Sequence, residues 1–294
     1  VKRFVLWLLL FGSLASGLVF AQRYRGRGFG GEGLHEDAPV RTARDVPTHS
    51  TDFPEWTNAP GFEKDVFTFV RVQYRRHYDY ATRRPGNCFT DFPDSDLDLS
   101  FRLQQLTSMN VDPDCRVLRL TDPDLTDFPF LYMVEPGRLR FEEAEVKALQ
   151  KHLSNGGFLM ADDFWGPLEW ENFEREMKRV FPERQFVELE MDHPLFSCVF
   201  DLRGLRKNDL QVPNFWTGEL SQETGITWEC EECRDVHIRG LFDEKGRMMA
   251  IACHNTDNGD GWEREQEFEY FFRQFSEKRA YPLAINILFY VMTH

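Results

Sequence analysis

From residue 62 to the C-terminus, short apolar runs alternate with amphipathic stretches, and the two periodicities predict alternating strands and helices. Val66–Tyr74 (VFTFVRVQY) alternates apolar and polar positions and is rich in β-formers, so it reads as the first strand. A long loop with four arginines follows over residues 75–93. Asp94 or Ser95 then caps a helix in which Leu99, Leu103 and Leu106 share a face. Arg116–Leu120 and Phe130–Val134 read as strands two and three. Glu142-Glu143 opens a helix with Val146, Leu149 and Leu153 on one side, and Asn155-Gly156-Gly157 ends it. Phe158–Ala161 is a short apolar run suited to a strand buried on both faces. Trp170, Phe173, Met177 and Val180 stripe the next helix, and Gln185–Leu189 is another strand. The C-terminal third predicts a hairpin of Val236–Phe242 and Arg247–His254, then a turn-rich loop over 255–261. A polar helix over 263–275 and an apolar one over 282–292 complete the chain.

Strands alternating with amphipathic helices predict an α/β fold, a doubly wound and mostly parallel sheet that ends in a hairpin and a helix. No repeat or linker interrupts residues 62–294, so they are expected to form one domain. In such sheets ligands bind beyond the carboxyl ends of the strands, and that rule singles out the segment after Ala161.

The residues before this domain change the picture of where it works. Lys2-Arg3 precedes an uncharged, apolar stretch over 4–21, with Val19 and Ala21 suited to signal-peptidase cleavage after Ala21. The alternative is an uncleaved anchor of the same residues. Either way the remainder is expected to be exported, to the periplasm or beyond. Residues 22–61 read as an extended lead-in, rich in Gly, Arg and Pro, that could lay Phe53 and Trp56 on the domain. With 35 basic against 49 acidic side chains and a formal charge of -14, a broad nucleic-acid surface is not expected. Hydrophobic residues make up 41% of the chain and aromatic ones 15%, enough for a sizeable core.

Candidate chemistry is sparse. Asp162 and Asp163 sit side by side at a predicted strand end before Gly166; like charges so close favour a raised pKa in one of them. They could serve as general acid and base or as metal ligands, or simply cap the following turns. His193, held by Pro194, could act as a base or fix its own loop. Asn255, Asp257, Asp260 and Glu263 make an oxygen-rich loop. Asp260 stands where an EF-hand needs Gly, so only a different divalent-cation site, centred on Asp257 and Asp260, is kept open. Cys230 and Cys233 have the spacing of a local disulfide or two free thiols, with a metal half-site and a redox pair as alternatives. No phosphate-binding loop, dinucleotide fingerprint or nucleophile-elbow serine motif occurs.

Taken in order, FTFVRVQY, GGFLMADDFWG, DHPLF, NTDNGDGWE and AYPLAINILFYVMTH resemble a bacterial family known only as domain of unknown function 4159, over about residues 64–294. The resemblance implies a flavodoxin-like three-layer sandwich of the class I glutamine amidotransferase type. Enzymes of that type carry a Cys nucleophile at the strand-to-helix elbow. Here Asp162-Asp163 takes that place, so glutamine hydrolysis by a thiolate is not expected.

Three functions compete. The first is a non-catalytic binding or scaffold domain for an envelope protein or a carbohydrate. It needs Phe164, Trp165, Trp216 and Trp262 exposed at an open rim that the Met160–Trp165 bend reaches. The second is a hydrolase using Asp162, Asp163 and His193, which requires the histidine within reach of the acids. The third is a fold stabilised by a cation on Asp257 and Asp260.

Overall fold

The computed structural model describes residues 33–48, 54–61, 65–76, 87–265 and 267–294. The apolar stretch over 4–21, Phe53 and most of the arginine-bearing loop lie outside them. Seven strands form one sheet: β1 (Val70–Val72), β2 (Arg116–Leu118), β3 (Phe130–Val134), β4 (Phe158–Phe164), β5 (Val187–Glu188), β6 (His237–Phe242) and β7 (Met248–His254). Their order is β2-β1-β3-β4-β7-β6-β5. Strands β2, β1, β3, β4 and β7 pair in parallel, and β6 alone runs against its neighbours.

The order explains the apolar runs. Every residue of β3, β4 and β7 is buried, which requires cover on both faces of the sheet. The chain winds outward from β1 to β2, then returns past β1 to β3 and proceeds to β4, so the helix after β1 falls on one face and those after β3 and β4 on the other. Helix α1 (Asp94–Leu106) packs on α5 (Asn258–Glu263) and the C-terminal helix α6 (Tyr281–Thr293), while α2 (Glu143–Ser154) packs on α3 (Gly166–Val180). No helix among the described residues is long and apolar enough to cross a membrane.

Several expectations shift. Leu99 and Leu103 are buried, but Leu106, the last residue of α1, is exposed. Helix α4 (Phe215–Thr224) was not visible in the pattern, because its Trp216 and Leu220 are exposed. The loop expected over 255–261 already turns helical at Asn258. Asp257 caps it by accepting the Asp260 N–H at 2.8 Å, and the helix expected over 263–275 is broken by turns before residue 269. The lead-in is not simply a linker: the Val117 N–H donates to the Arg41 carbonyl, Val40 and Ala43 are buried, and the Trp56 indole donates to the Val111 carbonyl. Cys230 and Cys233 form a disulfide. Cys88, Cys115, Cys198 and Cys253 are free.

Candidate functional site

Strand β4 delivers the acid pair through an irregularity. Ala161 pairs with Ala252 and Phe164 with His254, so Asp162 and Asp163 together face the single residue Cys253. Such a bulge re-aims side chains that strict alternation would send to opposite faces. Asp163 completes it with φ +54°, a left-handed conformation that Asp tolerates better than most residues.

Both acids turn toward the start of α5. Asp162 is fully buried and accepts four hydrogen bonds: from the Tyr132 hydroxyl at 3.1 Å, the Asn258 amide side chain at 2.8 Å, and the Asn258 and Gly259 N–H groups at 3.0 and 3.1 Å. Burial still outweighs these donors and pushes its carboxyl up to about 7. Asp163 accepts the Trp165 indole N–H at 2.7 Å.

Beside the pair lies a larger convergence of acids. One carboxylate oxygen each from Asp91, Asp163 and Asp257 lie within 4.8 Å of one another. The same holds for Asp91, Asp260 and Glu263, so Asp91 belongs to both sets. All five residues are more than nine-tenths buried. They arrive from three places: Asp91 from the chain between β1 and α1, Asp163 from the end of β4, and the other three from the loop and helix that follow β7. These are carboxyl ends of parallel strands, where an open α/β sheet places its ligands.

Electrostatically the cluster concentrates like charge. Two ionised carboxylates 4.8 Å apart repel by about 3–4 kcal/mol at an effective dielectric of ~20. Arg264 sits 2.7 Å from Glu263 and 3.7 Å from Asp260. Arg71 is also close, but its guanidinium is committed to Asp96, with Nε 3.0 Å from Oδ2, and to the Thr90 and Cys88 carbonyls. Burial first, and then the neighbouring acids, drive the Asp91, Asp257 and Glu263 carboxyls well above the usual carboxylate range. Asp91 Oδ2 is buried and receives no hydrogen bond among the described residues. It lies against the Gly259 backbone, where an added Cβ would come within 2.1 Å of it, so the close approach requires glycine.

The donor set is all oxygen. No His or Cys belongs to either trio. Such a set matches hard divalent cations, Mg²⁺, Ca²⁺ or Mn²⁺, rather than zinc. Cys253, beside Asp162 across the β4–β7 pair, is fully buried and its thiol is pushed well up, so it supplies no thiolate.

The remaining candidates fall elsewhere. His193 is not brought to the acids: it caps the short turn Pro194–Ser197, accepting the Leu195 N–H at 3.3 Å, and its ring packs near Phe242 and Tyr290. Phe242 pairs with Met248 at the start of β7, whereas Asp162 follows the residue paired with Ala252, so roughly 13 Å of strand separates the two levels at ~3.3 Å per residue. The rim expected at Met160–Trp165 is not open, since all six residues are buried. Phe164 packs between Trp170, Phe173 and His254. Trp165 is 4% exposed, and Trp262 is enclosed by Phe69 and Tyr132. Trp216 alone of the four aromatics presents its ring to solvent.

Asp257 and Asp260 fall in different trios, linked through Asp91, which the sequence reading did not single out. It lies in the polar stretch before the first helix. The available signal was an acid directly ahead of Phe92-Pro93 at a helix start, in the segment leaving the first strand's carboxyl end.

A model of the family described as "Domain of unknown function (DUF4159)" matches residues 68–292, and the chain belongs to that family. No curated protein matches it.

Proposed function

We propose that this family member is a cation-binding α/β domain whose centre is the carboxylate cluster at the ends of β1, β4 and β7. One observation carries the reading: two overlapping trios of buried acids share Asp91, whose Oδ2 has no hydrogen-bond donor. A divalent cation would supply the partner that Asp91 Oδ2 lacks among the described residues, because it ligates several carboxylate oxygens and cancels their repulsion together. Binding ties three segments far apart in sequence, so it should also hold the strand ends and the following helix in one arrangement.

The wider frame is part of the proposal. The strand order, with the chain reversing between β1 and β3, supports a flavodoxin-like arrangement of the amidotransferase type, with Asp162-Asp163 where such enzymes keep sulfur. The buried thiols support a non-thiol role, and we read the domain as a binding or scaffold module. Its exposed Trp216 is the aromatic left to meet a carbohydrate or an envelope partner. Export rests on the Lys2-Arg3 and apolar 4–21 sequence; N-terminal sequencing of the mature protein should begin at Gln22. A hydrolase is the second reading, favoured by acids lying beyond the carboxyl ends of parallel strands. In it a cation would activate water and a carboxylate, not His193, would take the proton.

The test is calorimetric titration of chelator-stripped protein with Mg²⁺, Ca²⁺ and Mn²⁺. Saturable binding of at least one is expected. Heat no greater than dilution for all three would overturn the proposal.

A further inference from the structure

We propose that the centre holds two divalent cations bridged by Asp91. The inference rests on the cation-binding reading above and adds number and arrangement to it. Each trio alone offers three carboxylates, a normal protein contribution to a hard dication that completes its shell with further oxygens. The two trios have no member in common except Asp91. A carboxylate has two oxygens and can give one to each of two metals, and paired catalytic or structural metals ~3.5–4 Å apart are bridged in this way.

Among the described residues Arg264 ion-pairs with Glu263 and Asp260. A buried carboxylate is expensive to ionise without a compensating partner, and a cation in each trio would supply one to its members. Asp91 also behaves as a ligand awaiting metals and not as a structural acid. It is 5% exposed, its Oδ2 lacks a donor, and Gly259 clears the space around that oxygen. Asp162, by contrast, is satisfied by four donors and stands beside the centre as the group that positions Asn258 and Gly259.

The experiment uses the full chain, stripped with chelator and titrated with Mn²⁺. Bound metal is counted by elemental analysis, and metal–metal coupling is read by electron paramagnetic resonance. Two Mn²⁺ per chain with an exchange-coupled spectrum are expected. Asp257→Asn and Glu263→Gln should each leave one tightly bound, magnetically isolated Mn²⁺. Asp91→Asn should weaken both sites by more than ~10-fold. Circular dichroism melts establish that each variant is folded; Asp91→Asn, which removes a repelling charge and no hydrogen bond at Oδ2, should fold at least as well as the parent. A single Mn²⁺ per chain, or loss of only one site in Asp91→Asn, would overturn the bridge and leave the cation-binding reading standing. No bound Mn²⁺ would overturn this inference, and failure of Mg²⁺ and Ca²⁺ as well would remove the reading beneath it.

Discussion

Glu188, at the β5 edge of the sheet, is surrounded by bases, whereas Asp91, in the chain that follows β1, is surrounded by acids. Lys207 lies 2.8 Å from Glu188, and His237 and Arg239 each lie 3.1 Å from it. Burial works to raise its pKa, but His237 and Lys207 outweigh that and hold the carboxyl down at about 2. Glu190 lies 3.8 Å from Lys207 as well, so two acids face Lys207 and Arg239; this partly exposed cluster explains itself as the clamp between β5, β6 and the turn at Lys207. The Asp91 cluster is deeper and gathers more acids, with Asp91 Oδ2 lacking a donor among the described residues. The contrast teaches how to tell a structural polar cluster from a ligand site on one sheet: the first pairs its acids with bases of the chain, and the second leaves a carboxylate oxygen for something outside the chain to pair.

That contrast can be broken in several places. The largest effect should come from Arg264→Met in chelated protein. Removing the base beside Glu263 and Asp260 should cost about 3–5 kcal/mol of unfolding free energy near neutral pH. Denaturant melts check it, and an unchanged midpoint would mean that Arg264 is not paired with Glu263 and Asp260 in the chelated protein.

Acid dependence comes next, because the two clusters have opposite signs. The Asp162 carboxyl is raised from 3.8 to about 7 in the folded chain, so its contribution is complete below about pH 4 and is lost as pH rises through 7. In the cation-free protein this amounts to roughly 2–4 kcal/mol over that window. Glu188 is lowered from 4.5 to about 2, so its contribution is present above about pH 4.5 and is lost as pH falls through 2. Melts of chelated protein from pH 3 to 8 should therefore show stability declining above pH 4, and Asp162→Asn should flatten that decline. A parent protein whose stability rises steadily to pH 8 would reverse the assignment.

Smaller shifts follow from single neutral replacements. Asp91→Asn should stabilise the chelated protein by about 1–2 kcal/mol, since it removes repulsion. Glu188→Gln should destabilise it by about 1 kcal/mol or less, because that pair is partly screened by water. Chemical denaturation distinguishes the two by sign alone.

The frame of the molecule was legible in the chain because burial on both faces writes itself as apolar runs. Phe130–Val134 and Met248–His254 are both such runs, and both are central strands. The acid pair was legible for the same reason, since Asp162 and Asp163 interrupt a strand at the end where ligands bind. Asp91 was not legible, because its burial is made by Gly259 and the rest of α5, far away in sequence. His193 was drawn to the acids by composition alone; nothing in Asp192-His193-Pro194 reports that its loop folds back toward the start of β7. The aromatics misled for a physical reason as well. An apolar ring at a strand end is open only if no loop covers it, and here α5 covers Phe69 and Tyr132 with Trp262.

The central claim, that the sheet's acid centre is completed by divalent cation, meets its most direct test in one thermal comparison near neutral pH. Chelator-stripped protein is melted alone and then in saturating Mg²⁺, Ca²⁺ or Mn²⁺, alongside Asp91→Asn. The account predicts a clear upward shift with at least one cation, worth about 2.7 kcal/mol at a hundredfold excess over the dissociation constant, and a shift of about half that or less in the variant. Superimposable melts of the parent in all conditions would contradict it.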